Sequence, residues 1–165
     1  MHEPNELTPC STVMQLVRHI RDGDALADDS AVALARLIEG GPHNERLLSE
    51  LFGDLAPASS ESARAEAAAE AVHQLRRYIT ATPRPLPSAV WALGKEQDPS
   101  LADTFASIVI RALDRHDESL AYQALAALTV LPADAVPVDT VRLAAAKGHE
   151  EVRDLANDWL RLPRR

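Results

Sequence analysis

Several kinds of residue are scarce in this chain, and each scarcity removes a class of structure. A single cysteine, Cys10, leaves no partner for a disulfide within the 165 residues, which suits a reducing compartment, and a cytoplasmic protein is expected. Six glycines are too few for a turn-dense all-β fold. Aromatic residues make up 4%, so a core must be assembled from Ala, Leu, Val and Ile. Side chains of that size let helices approach closely. No apolar run reaches the roughly 18 residues that a membrane-spanning helix needs. The opening Met1-His2-Glu3-Pro4-Asn5-Glu6 is acidic and lacks the apolar stretch of a secretory signal. Lysine occurs twice against fifteen arginines, a usage that with abundant alanine suggests a GC-rich bacterial gene.

What is present is ordinary hydrophobic content, 46%, and a surplus of acid. The net charge is -8. Residues 1–82 hold 7 basic and 13 acidic groups, and residues 83–165 hold 10 and 12. An acidic chain repels phosphate backbones and anionic membranes unless its cations are segregated on one face. A basic protein partner is accommodated more easily; the surplus also serves solubility.

Strand signals are almost absent, while apolar residues recur with a helical period throughout. Thr8-Pro9 opens a first helix with Val13, Leu16, Val17 and Ile20 on one face, ended by Gly23. Asp28-Asp29-Ser30 opens a second, with Ala31, Leu34, Ala35 and Ile38 inward, and Gly40-Gly41-Pro42 breaks it. A third carries Leu47, Leu48, Leu51, Phe52 and Leu55, followed by a polar link at 57–60. The fourth, about 60–81, is alanine-rich, and its stripe is expected along Ala68, Val72, Leu75 and Ile79 with Ala71 and Tyr78. Three prolines in 83–87 then forbid helix and stiffen the chain. A fifth helix follows at about 87–96, and Asp98-Pro99 starts a sixth with Leu101, Phe105, Ile108, Ala112 and Leu113. Asp117 caps a seventh, Val136-Pro137 starts an eighth, and Val152, Leu155, Ala156, Trp159 and Leu160 mark the last.

The second half repeats. Ala89-Val90-Trp91-Ala92-Leu93-Gly94 aligns with Ala121-Tyr122-Gln123-Ala124-Leu125-Ala126 at a spacing of 32, and Ala156 falls on the same register 32 residues later. A fixed period of two helices is the mark of an α-solenoid. Ala89 to Lys95 followed by Asp98-Pro99 resembles the first helix and turn of the short HEAT-like repeats of phycobilisome-lyase-type proteins, and the likeness extends over residues 86–162. Tetratricopeptide repeats share the period but expect Trp-x-x-Leu-Gly, whereas Leu93-Gly94 comes one position early. The expected fold is all-α: a single domain over 1–165, a right-handed stack of about four antiparallel helix pairs, eight to nine helices. Irregular helices fill 8–82 and HEAT-like repeats 86–162, joined by the proline segment 83–87.

Sequence motifs for chemistry are thin. Glu70 and His73 have the Glu-x-x-His spacing of di-iron bundles, but no second copy accompanies them. His149-Glu150-Glu151 begins like a zinc-protease helix, yet Arg153 stands where the second His belongs. His116-Asp117 lacks a serine elbow and suits a helix cap. Cys10, even with His19 near in sequence, has nothing that marks an activated thiolate. No glycine-rich phosphate loop occurs. No catalytic residue, metal ligand or cofactor site is expected. A non-enzymatic protein-interaction module is, acidic and suited to a basic protein partner, as an immunity-type or regulatory scaffold would be. Trp91, Arg76, Arg77, Arg84 and Lys95 are the expected binding surface. The HEAT-like resemblance also implies an alternative, a nucleic-acid-binding or DNA-glycosylase-like protein, for which those cations would have to converge beside Trp91. It allows as well an accessory acting on a chromophore-bearing protein.

Overall fold

The computed structural model describes the backbone of residues 9–52 and 61–163 and the side chains of 11–48 and 61–163. Among them are nine α-helices, one 3-10 turn and no strand. The helices are α1 (Pro9–Asp22), α2 (Ala27–Glu39), α3 (Pro42–Phe52), α4 (Glu61–Ala81), α5 (Pro87–Gly94), α6 (Ala102–Asp114), α7 (Glu118–Thr129), α8 (Val138–Lys147) and α9 (Glu150–Arg161), with the 3-10 turn at Pro99–Leu101. Thr8, the link at 57–60 and Leu55 lie outside the described residues, as does the side chain of Cys10. No helix among the described residues is long and apolar enough to cross a membrane. Two compact units divide the chain, residues 1–78 and 79–165, so the division falls inside the last turn of α4, and the prolines of 83–87 belong to the second unit.

In the first unit α1 packs on α2, and α2 on α3. Val13, Val17 and Ile20 of α1 meet a face of α2 made largely of alanine, with Leu34 and Leu37. Gly40 and Gly41 take positive φ, 67° and 90°, which stops α2; Pro42, rather than belonging to the break, opens α3. Arg64 of α4 reaches Glu45 of α3 at 3.1 Å. Gln74 is buried, donates to Glu70 at 2.7 Å and accepts from Arg21 of α1 at 3.4 Å. Of the stripe expected on α4, Ala71, Leu75, Tyr78 and Ile79 are buried, whereas Ala68 and Val72 are half-buried and Ala67 is fully buried instead. The cause is that alanines fill the positions around it, so hydrophobicity alone does not fix which face turns inward.

In the second unit helices two apart in the chain pack together. α7 packs on α6, and also on α5 and α9; α8 packs on α6 and α9. Val90, Leu93, Leu101, Phe105, Ile108, Leu125 and Leu128 form the core. Leu86 is extended, as a residue before proline must be, and Pro87 supplies the first turn of α5. The Asp98 carboxylate accepts the Ser100 amide at 2.9 Å and that of Asp117 accepts the Leu120 amide at 3.2 Å, so both expected caps form. Ala92, Ala124 and Ala156, the residues spaced by 32, are all fully buried.

Candidate interaction surface

Trp91 sits at the middle of α5 and is half-buried. Lys95, one turn on, places its Nζ 4.8 Å from the ring centroid, a cation–π contact within the chain. Arg84 is exposed, with its Nε 3.6 Å from an Asp117 carboxylate oxygen. Beside it Arg115 donates to the Pro83 carbonyl at 3.1 Å, so the proline segment is tied to the turn between α6 and α7. Arg76 is half-buried and Arg77 exposed on α4, in the first unit. Adjacent helical residues point roughly 100° apart, so these two do not share one patch.

A cavity of about 190 Å³ lies where the turn before α7 faces the turn before α9. His116, Asp117, Glu118, Lys147 and His149 line it, over Ala112 and Ala121. His116 carries a φ of 56°, because it closes α6: its amide donates to Leu113 at 3.2 Å and that of Asp117 to Ala112 at 2.9 Å. Asp117 is occupied by its cap and by Arg84. His149 Nε2 stands 4.0 Å from Glu151, and Glu150 and Glu151 fill the first turn of α9, where they suit the helix dipole. Glu70 accepts from Gln74, and His73 is exposed. No group of three or more His, Cys, Asp or Glu among the described residues is placed to hold a metal ion. His19 donates to Asp24 at 2.6 Å, and the other Asp24 oxygen accepts the Leu26 amide at 2.9 Å. The Asp24 carboxyl is held below the usual carboxylate range, first by the His19 bond and then by the Leu26 amide.

The surface around Trp91 extends further than the sequence reading took it. At the two ends of α7 Glu118 and Thr129 lie outside the core, and between them so do Ser119, Tyr122, Gln123 and Ala126, which form one stripe. Their equivalents on α9, 32 residues later, are Glu151, Asp154, Leu155 and Asp158, of which the three carboxylates are exposed. The same shift carries Trp91 to Gln123 and to Leu155, so the repeat spacing already contained this row.

Gly94 explains how α5 and α7 come together. A Cβ on Gly94 would stand 2.9 Å from the Ala127 Cβ, a distance no real pair tolerates. Glycine facing alanine is thus required by the approach of the two helices. No family model matches the chain, and no curated protein and no solved structure matches it.

Proposed function

We propose that the chain is a non-enzymatic protein-interaction module built as a HEAT-like, right-handed α-solenoid, and that it binds a basic protein partner. The packing of α7 on both α5 and α9 carries the reading. Contact between alternate helices, together with α8 on α6, is what two stacked layers require. The alanines at a spacing of 32 are fully buried, as close packing between successive repeats requires. Such a stack presents a continuous helical face, and a net charge of -8 favours a cationic partner by steering and by complementarity.

The nucleic-acid alternative draws less support. Of the cations it needs, Arg84 faces Asp117 and Lys95 covers Trp91. Binding of the purified chain to a cationic unstructured polypeptide, to a polyglutamate and to duplex DNA, each at low and high salt, separates the two. Salt-sensitive binding of the cationic polymer alone is expected. Preference for DNA would replace this reading with the alternative.

A further inference from the structure

We infer that the docking face is the outward side of α5, α7 and α9, and that its occupant is a basic segment of a protein partner; this rests on the interaction-module reading above. The aromatic residues of the second unit are divided. Phe105 and Trp159 are buried, whereas Trp91 and Tyr122 stay half-exposed on neighbouring helices of this face. Aromatic side chains kept at a surface are the usual anchors of a protein interface. Lys95 lies over the Trp91 ring, 4.8 Å from its centroid, and the ring stays half-exposed beside it.

Charge supplies the occupant. Moving from α7 to α9 along the register, Ser119, Tyr122 and Ala126 become Glu151, Asp154 and Asp158. Glu150, Asp154 and Asp158 are moreover spaced by four on one helix, where like charges repel. Arg161 reaches Asp158 at 3.5 Å and His149 lies 4.0 Å from Glu151, and Arg153 is exposed on the same helix. No ion pair involves Asp154 among the described residues. A segment with cations over α9 and apolar side chains over Tyr122 and Trp91 complements both halves of the face, and it relieves the repulsion along α9.

The test uses the full chain, labelled with ¹⁵N, titrated with a synthetic peptide alternating arginine and leucine at low salt. Shifts are expected to gather on Tyr122, Gln123, Asp154, Asp158 and the Trp91 indole. The double variant Asp154→Lys with Asp158→Lys should weaken binding by about tenfold. Asp28→Lys with Asp29→Lys, which changes net charge equally in the other unit, should weaken it by less than about twofold. Equal weakening by the two pairs, or shifts centred elsewhere, overturns the placement and leaves the module reading standing. Failure to bind this peptide, or preference for its glutamate–leucine counterpart or for duplex DNA, overturns both.

Discussion

Gly94 of α5 and Ala127 of α7 meet so closely that Gly94 has no room for a side chain. The added Cβ of Gly94→Ala would lie 2.9 Å from the Ala127 Cβ and 3.4 Å from its Cα, and neither atom belongs to a side chain that can swing away. Two effects oppose each other. Replacing glycine by alanine in a helix ordinarily stabilises by about 0.5–1 kcal/mol. Overpacking at a closed contact costs about 1–3 kcal/mol. The second wins, and Gly94→Ala should destabilise by about 1–2 kcal/mol in urea unfolding. A rise in the unfolding midpoint would mean that the helices are not so close in solution.

Ala124 tests the stacking from the partner helix. It is fully buried, with Ala92 and Ala156 at equivalent register. Ala124→Leu should cost about 1–3 kcal/mol. Ala126→Leu, two residues away on the half-exposed stripe, should stay within about 0.5 kcal/mol. Equal effects at the two sites would contradict the assignment of faces.

Much of this architecture was legible, for reasons that differ between the halves. In the second unit Leu101, Phe105, Ile108 and Ala112 are large or well-spaced enough for the helical period to fix the buried face, and Asp98 and Asp117 announced their caps. In α4 the same reasoning placed Ala71, Leu75, Tyr78 and Ile79 but missed at Ala68 and Val72, because alanine on several faces gives almost no contrast between in and out. At the candidate surface, Trp91 with Lys95 forms a contact through its i, i+4 spacing, yet Arg84 is drawn off by Asp117, a pairing 33 positions apart that no local pattern could supply. The α7 and α9 stripes are related by the 32-residue spacing, but a surface residue reads as solvated until the buried neighbours are known.

His116 offers a prediction of the opposite sign. Its φ of 56° is a left-handed conformation, closing α6 where glycine is the common choice. A non-glycine residue there carries a penalty of roughly 1–2 kcal/mol, against which glycine loses about 0.5–1 kcal/mol in chain entropy. His116→Gly should therefore stabilise the chain by about 0.5–1 kcal/mol. Thermal unfolding read by circular dichroism checks it; a lower midpoint would show that the imidazole makes a contact worth more than the strain.

The pair at the end of α1 gives the chain an acid-sensitive turn. Asp24 accepts from His19 at 2.6 Å and from the Leu26 amide at 2.9 Å, and both bonds favour its ionised form. A carboxyl held below its unfolded value stabilises the fold fully above that unfolded value, and the contribution disappears as pH falls through the lowered, folded one. Because a carboxylate only accepts, His19 must carry a proton on Nδ1, which both the neutral Nδ1–H tautomer and the imidazolium provide. The bond therefore forms with either, and the pH dependence that follows from Asp24 lies on the acid limb. In His19→Ala the Asp24 titration, followed by the carboxyl ¹³C shift, should move up toward the ordinary carboxylate range. It should stop short of it, since the Leu26 amide stays in place. An unmoved midpoint would show that His19 does not hold Asp24 in solution, and that the turn is set by the Asp24 cap on Leu26 alone.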